Sequence, residues 1–327
     1  MTAAAEAVAR PQDRVITRPV KRRVDWGKWG LAFYFLLFIL FLYAPMILMA
    51  ILSFQNGLTG SITFPFQGPI SFDWWRSLWD NTVGGAFTHA GDIRSAAETS
   101  LELGLAAGAI VAVMAYSLSM AFRRRFRGDG LAFYLIMLAL MTPGFLLGLG
   151  TQLFWKAINQ PTDLWHTALG ANTVWGIPFG FLVMLAVWNR YDVHIEEAAR
   201  DLGAGAIRTF KEVTLPLVWT GLFGCFLFGF TLTWNDYDRT VLIAGQATTL
   251  PMEIAALTLT AAIRPDLYAL GTATTAFSLL LIAVLLIVIA VRSRLQAGKR
   301  VQKTEEELGL VGGIDAEAAE AVATESP

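Results

Sequence analysis

Long apolar stretches separated by shorter polar ones set the pattern of this chain. Six apolar stretches stand out, at about residues 30–53, 97–120, 131–154, 172–188, 216–234 and 270–291. A helix needs about 20 mostly apolar residues to cross a bilayer, and even the shortest stretch approaches that length. The first stretch is too long, and begins too far along the chain, for a cleaved signal peptide, so we expect it to be retained. The pattern predicts an all-α polytopic membrane protein with six transmembrane helices.

The composition fits a chain surrounded by a lipid bilayer. Of its 327 residues, 55% are hydrophobic and 16% are charged, and the mean hydropathy is +0.52. Soluble domains carry about 25% charged residues. The net charge of −1 gives no reason to expect nucleic acid as a partner. The single cysteine, Cys225, and the three histidines lack the spacing of metal ligands, so no metal and no cofactor are expected.

The basic residues are distributed unevenly between the two sides of the predicted membrane. Seven precede the first helix, four lie in 121–130, four in 189–215 and five after residue 291, which together make 20 of the 25 in the chain. Loops rich in Lys and Arg face the cytoplasm. Both termini are therefore predicted to be cytoplasmic. Residues 1–29 and 292–327 are polar and are predicted to be disordered on either side of a membrane domain at 30–291.

Catalytic and nucleotide-binding motifs are missing from the sequence. A phosphate-binding loop needs Gly-Lys followed by Ser or Thr, whereas Lys28 is followed by Trp29 and Lys299 by Arg300. Neither G-x-S-x-G nor H-E-x-x-H occurs. The chain is therefore not expected to be an enzyme, and energy for any transport would come from an ion gradient or from a partner.

The most patterned polar segment is a predicted cytoplasmic loop at residues 190–215. It contains most of the stretch EEAARDLGAGAIRTFKEVTLP, residues 196–216. Good helix formers run from Glu196 to Ala206, two glycines then permit a turn, and residues 209–213 can form a second short helix. The stretch ends at a proline suited to the first turn of the next helix. A solvated linker would explain the charge, but the helix–turn–helix pattern favours an interface with another protein.

This loop resembles the cytoplasmic motif of ABC importer permeases, E-A-A-x3-G-x9-I-x-L-P. The matching residues are Glu197, Ala198, Ala199, Gly203, Val213, Leu215 and Pro216. Val213 stands where isoleucine is usual, and the spacing is otherwise complete. The resemblance implies an ABC importer permease fold whose cytoplasmic coupling helix docks into a separate ATPase subunit. It also implies that Glu197 makes a polar contact there and that Gly203 forms the bend.

The resemblance extends over residues 30–291 and is strongest to permeases of the spermidine/putrescine type. The stretches that carry it lie at residues 51–57, 71–79, 141–150, 234–245 and 250–272. It implies an inner-membrane subunit that pairs with a second related permease, two ATPase subunits and a periplasmic solute-binding protein. The implied solute is a small molecule such as a polyamine, moved by alternating access. The sequence does not identify the solute.

Two groups of residues are candidates for the solute path. Glu98 and Glu102 lie four residues apart on one face of the second helix, where they could line a path for a cation or form an interfacial salt bridge with Arg94. The second group follows the fifth helix and consists of Trp234, Asp236, Tyr237 and Asp238. Carboxylates and aromatic rings both attract ammonium groups, although an aromatic belt beside solvated acids would give the same pattern.

Small residues on two helices are better explained by packing than by solute binding. They include Gly104 and Gly108 on the second helix and a group of Thr and Ser residues at 272–278 on the sixth. Two other kinds of protein remain as alternatives to an importer subunit. A self-sufficient secondary transporter or channel for a small cation would need no ATPase, and a membrane-embedded enzyme would need catalytic motifs that the sequence lacks.

Overall fold

The computed structural model describes residues 26–55, 69–79, 90–260, 267–284 and 286–291. Within these residues every regular element is helical. The helices are α1 (Trp26–Leu52), α2 (Asp73–Trp79), α3 (Ala90–Ala121), α4 (Asp129–Met141), α5 (Gly144–Ala157), α6 (Leu169–Trp188), α7 (His194–Asp201), α8 (Ala206–Thr209), α9 (Leu215–Trp234), α10 (Thr240–Ile243), α11 (Leu250–Thr260) and α12 (Leu267–Val291). The predicted disorder at 1–25 and 292–327 lies outside the described residues.

The chain divides into two compact units, Met1–Leu48 and Met49–Pro327. In the first unit the described residues form most of α1, a helix rich in Leu and Phe that contains Pro45. The second unit contains the other helices, and its centre is a bundle of α3, α6 and α9. This bundle positions the motif-bearing loop at residues 190–215, because the loop connects α6 to α9.

The predicted all-α polytopic membrane fold is confirmed. Five helices are long and apolar enough to cross a membrane, and the pair formed by α4 and α5 brings the number to six if it counts as one span. The prediction of one helix over 131–154 was wrong, because the pair is bent by 98°. Pro143 explains the bend: proline lacks a backbone donor and disfavours helical geometry in the preceding residue, and Thr142 is extended.

The shortest predicted stretch, 172–188, belongs to a longer helical segment. A five-residue π-helical turn, Leu164–Ala168, leads directly into α6, so the span measures 25 residues. Asp163 caps its start by accepting a hydrogen bond of 2.6 Å from the backbone N–H of His166. Hydrogen bonds from His166 lower the pKa of this carboxyl. A charged cap is well placed here, because helix N-termini attract negative charge.

Glycines allow the bundle helices to approach closely. A Cβ atom at Gly108 in α3 would lie 2.7 Å from the carbonyl oxygen of Phe226 in α9, and one at Gly104 would lie 3.1 Å from the ring of Phe230. In the opposite direction, a Cβ at Gly229 in α9 would lie only 2.9 Å from the Cα of Gly108. The prediction that these small residues of α3 serve helix packing is confirmed for both glycines.

Candidate functional site

The loop predicted to be cytoplasmic, residues 190–215, folds as a helix, a turn and a second helical segment, as predicted. α7 ends at Asp201, and the second segment consists of α8 followed by a π-helical turn, Phe210–Thr214, that runs into α9. Gly203 has a φ of +87°, in the left-handed region that favours glycine. Its N–H donates to the carbonyl of Arg200 at 2.8 Å, which closes the end of α7. Gly205, by contrast, has an extended backbone with φ −67°.

The outer surface of the loop combines charge with exposed apolar side chains. The side chain of Glu197 is 61% exposed, and its Oε2 lies 2.9 Å from Nδ1 of His194. Leu202 is 90% exposed and Ile207 is 73% exposed, on either side of the turn at Gly203. We call these five residues the docking surface, after the role that the motif predicts for the loop. Hydrogen bonding to Glu197 raises the pKa of His194, so this surface carries a titratable cation beside the motif carboxylate.

The other motif residues lie along the same loop. Ala198 and Pro216 are exposed, whereas Ala199, Val213 and Leu215 are half-buried. The two alanines have small side chains that project little from the surface of α7, so that a partner's backbone could approach this helix closely. The motif residues thus divide between a surface that a partner can contact and a base that turns towards the membrane helices.

The base of the loop contains a buried carboxylate that the sequence did not single out. Glu196 is 7% exposed. Its Oε1 accepts hydrogen bonds from Arg123 Nη1 at 3.0 Å, Tyr191 OH at 2.8 Å and Thr214 Oγ1 at 3.0 Å. Burial alone would raise the pKa of Glu196, but these three hydrogen bonds outweigh it and hold the pKa below the usual value. The carboxylate therefore stays ionised at neutral pH.

Aromatic rings hold the arginine of this cluster. The guanidinium carbon of Arg123 lies 4.4 Å from the ring centre of Trp188 and 5.1 Å from that of Tyr191. Trp188 in turn donates from Nε1 to Ser119 Oγ at 2.9 Å. Arg123 is one of four arginines between α3 and α4, and nothing in the sequence distinguishes it from the others. Only the fold shows which one enters the cluster.

The carboxylates predicted on the second helix lie on an exposed face of α3. Arg94 Nε contacts Glu98 Oε1 at 3.4 Å, with the two side chains 77% and 66% exposed, so the predicted pairing is confirmed. Glu102 is exposed and has no hydrogen-bond or ion-pair partner among the described residues. By helical rise, Glu102 lies about 14 Å along the axis from Ile93, where the candidate span begins.

The structure separates the candidates that follow α9. Tyr237 and Asp238 are exposed, whereas Asp236 is buried in an ion pair with Arg239, Oδ1 to Nη2, at 2.7 Å. The other oxygen of Asp236, Oδ2, accepts hydrogen bonds from the N–H of Thr240 at 3.0 Å and from its hydroxyl at 2.7 Å. Asp236 is thus fully engaged within the protein. Its predicted contact with the solute stays a prediction, and its structural role is now visible.

Arg239 also contacts helices α5 and α6. Its Nε donates to Asn172 Oδ1 at 3.2 Å, and its guanidinium lies 4.7 Å from the ring centre of Trp175 in α6. A Cβ atom at Gly144 in α5 would lie 2.9 Å from Arg239 Nη1, and one at Gly148 would lie 2.9 Å from the Cα of Arg239. The glycines of α5 therefore make room for the arginine close to the bend at Pro143.

Trp234 lines a cavity of about 500 Å³ instead of facing open solvent. It is 7% exposed, and its ring centre lies 4.8 Å from that of Phe277 and 5.9 Å from that of Phe230. Thr274 and Arg94 also line the cavity, whose walls are otherwise mostly apolar. Among the described residues no three His, Cys, Asp or Glu side chains lie close enough together to hold a metal ion.

Residues 104–301 match the family described as "binding-protein-dependent transport system inner membrane component". The chain belongs to this family. The match includes the loop motif and the bundle helices α6 and α9, and it confirms the family predicted from the motif. As a family member, the chain is a permease subunit, and its apolar helices fit a multi-pass protein of the inner membrane.

PotI and PotC are two of the proteins to which the chain is similar. The chain is 28% identical over 241 residues to the putrescine transport system permease protein PotI of Escherichia coli strain K12. The aligned region covers 71% of this chain and 80% of PotI. It is 26% identical over 253 residues to the spermidine/putrescine transport system permease protein PotC of Haemophilus influenzae, covering 77% and 92% of the two chains.

A solved structure has the same fold. It belongs to a bacterial ABC transporter involved in the import of the acidic polysaccharide alginate. The similarity covers 84% of this chain and 99% of that one, with a TM-score of 0.51 and 18% sequence identity. At this level of identity the similarity supports the fold alone.

Proposed function

We propose that this permease moves a polyamine such as putrescine or spermidine inward, driven by ATP hydrolysis on a separate subunit. The observation that carries the proposal is the docking surface, in which apolar side chains and a carboxylate project from the loop around the left-handed turn at Gly203. An exposed apolar group rimmed by charge is typical of a protein interface. The names of the similar permeases PotI and PotC support the choice of polyamine.

The proposed assembly contains this chain, a second related permease, two ATPase subunits and a periplasmic solute-binding protein. The binding protein delivers the solute at the outer side, and closure of the ATPase subunits moves the permease helices to release it inside. This chain supplies the path and the coupling loop, and it does not hydrolyse ATP. The alternative, a self-sufficient secondary transporter or channel, gives the exposed apolar side chains of the loop no partner.

Reconstitution of the assembled transporter in liposomes tests the proposed function. We expect ATP hydrolysis to be stimulated by binding protein loaded with putrescine, and the solute to accumulate only when ATP is present. Binding protein loaded with a neutral sugar is the control for the solute class. Uptake by the permease alone, driven by an ion gradient without any ATPase, would establish the alternative instead.

Glu102 is the strongest candidate in this chain for contact with a cationic solute. A charged side chain facing lipid is costly, so an exposed carboxylate within a span normally faces water or a protein partner. Glu102 has no partner among the described residues, and Glu98 lies one turn further out on the same face. We therefore propose that this face of α3, with Tyr237 and Asp238 beyond α9, borders the solute path.

Replacing Glu102 by glutamine is expected to raise the solute concentration for half-maximal uptake about tenfold, because it removes one charge-assisted hydrogen bond. Initial uptake rates against putrescine concentration measure the effect, with membrane abundance checked for each variant. Asp129→Asn, at the start of α4 far along the chain from this face, is the matched control. An unchanged concentration dependence in Glu102→Gln would remove Glu102 from the path.

The orientation of the chain is also proposed, with both termini and the docking surface in the cytoplasm. It is supported by the location of 20 of the 25 basic residues. We expect a cysteine at Arg127 to be shielded from an impermeant thiol reagent in intact cells, and one at Gln160 to react. Both positions are exposed, and the native Cys225 is buried, so background labelling is low. Labelling of Arg127→Cys from outside would reverse the orientation.

A further inference from the structure

Four separate segments meet at one carboxylate oxygen beneath the docking surface. Arg123 follows the end of α3, Tyr191 follows the end of α6, and Thr214 immediately precedes α9. All three donate hydrogen bonds of 2.8–3.0 Å to Glu196 Oε1, in the first turn of α7. The carboxylate thus joins the loop to the cytoplasmic ends of all three bundle helices.

The apolar packing of α7 reaches the bundle through the second helical segment of the loop. Among the described residues α7 packs chiefly against α8 and the π-helical turn, which continue directly into α9. Within the described part of the chain, the nearest cationic neighbour of the second oxygen of Glu196 is Arg200 Nη2 at 4.0 Å, whose side chain is itself about half exposed. The hydrogen bonds to Oε1 are therefore the main polar connection between α7 and the membrane helices.

The cluster is built to keep this connection in one geometry. The side chains of Arg123 and Glu196 are only 15% and 9% exposed, so water screens their attraction less than it would screen a surface pair. The guanidinium stacks on Trp188 and Tyr191, and planar stacking restricts its rotation. Hydrogen bonds within a buried network are stronger than they are in water, so they restrict the side chains that make them.

Two adjacent carboxylates of α7 therefore have different surroundings. Glu197 is 61% exposed on the docking surface, while Glu196 points back to the membrane helices. We infer that Glu196 and Arg123 are positioning residues that make α7 move as one body with α3, α6 and α9, so that displacement of the docking surface reaches the membrane. This inference rests on the proposed function, because the displacement comes from the ATPase partner.

Breaking this connection is expected to separate ATP hydrolysis from transport. The docking surface remains intact in Glu196→Gln and Arg123→Ala, so the ATPase still binds and hydrolyses ATP. Its closure then moves α7 without moving the helix bundle to the same extent. The ATP hydrolysed per solute transported should rise about tenfold, the change expected from losing one charge-assisted hydrogen bond.

The test measures ATP hydrolysis and uptake in the same proteoliposomes, with the full chain in the assembled transporter. Arg125→Ala is the matched control, because Arg125 is exposed in the same segment and outside the cluster. Arg123→Lys keeps the charge and loses the planar stack, so its ratio should lie between wild type and Arg123→Ala. If Glu196→Gln fails to assemble, Arg123→Lys still tests the inference.

Parallel losses of hydrolysis and uptake, with an unchanged ratio, would overturn the inference and leave the cluster a purely structural feature. An equal rise in Arg125→Ala would also overturn it, because any lost arginine would then have the same effect. The proposed function fails in a different way: wild-type transporter would show no solute-dependent ATP hydrolysis at all, before any variant is compared.

Discussion

Replacing Arg239 by alanine is expected to remove most of the protein from the membrane, the largest stability effect that the structure indicates. The substitution leaves the Asp236 carboxylate, whose side chain is 7% exposed, without its counter-ion. Removing one partner of a buried ion pair costs about 3–5 kcal/mol of folding stability, since an uncompensated charge stays buried. The loss of the Asn172 hydrogen bond adds to this. Membrane abundance and thermal unfolding in detergent measure the effect.

Two further variants make this prediction specific. Arg94→Ala breaks an ion pair whose side chains are 77% and 66% exposed, and such pairs contribute about 0–1 kcal/mol, so abundance should hardly change. Replacing Asp236 and Arg239 together by alanine should cost less than the two single substitutions summed, because no buried charge remains. If Arg239→Ala shows normal membrane abundance and unfolds at the wild-type temperature, the ion pair contributes little to stability.

The same measurements, made on Asp236→Asn, bear on the predicted contact of Asp236 with the solute. If the Asp236 carboxylate is structural, Asp236→Asn lowers the membrane abundance of the protein. If it binds the solute, Asp236→Asn lowers the apparent affinity for the solute at normal abundance. The contacts of Asp236 with Arg239 and Thr240 favour the first outcome. Glu102, which has no such partner among the described residues, favours the second.

The sequence predicted the helices well because apolar length is a local property. Five candidate spans each overlap one of the six apolar stretches, although the spans at 164–188 and 206–234 begin well before the predicted 172 and 216, and the stretch 131–154 is broken in two. There the bend follows from Pro143, which is visible in the sequence, but a proline is also compatible with a continuous helix, as Pro178 inside α6 shows. Which outcome occurs depends on packing, and packing is not local.

The two parts of the candidate site differ in how far the sequence could predict them. The loop motif spans 20 consecutive residues, so spacing alone identified Glu197 and Gly203. The contact between Arg123 and Glu196 joins residues 73 positions apart, and only the fold brings them together. Arg239 is different: it lies three residues after Asp236, a spacing typical of helical pairs, and could have been recognised.

Replacing Gly203 by valine is expected to abolish most transport, because valine disfavours the backbone conformation on which the turn depends. Its φ of +87° is strained for any L-residue and most of all for a β-branched one. A Cβ there would meet nothing within 4 Å, so a steric clash within this chain contributes nothing. The left-handed conformation costs such a residue about 1–2 kcal/mol. The turn should therefore relax and displace Leu202 and Ile207 from the positions in which they meet the ATPase.

The expected loss of ATPase association is about five- to thirtyfold, the factor that 1–2 kcal/mol represents, with uptake falling alongside it. Gly205→Val is the matched control, because Gly205 lies in the same turn with an extended backbone, and a Cβ there would also meet nothing within 4 Å. Gly203→Asn should lie between the two, since asparagine tolerates the left-handed region. Co-purification of the ATPase and initial uptake rates are the measurements, at equal membrane abundance. If Gly203→Val keeps both, the loop does not dock through this turn.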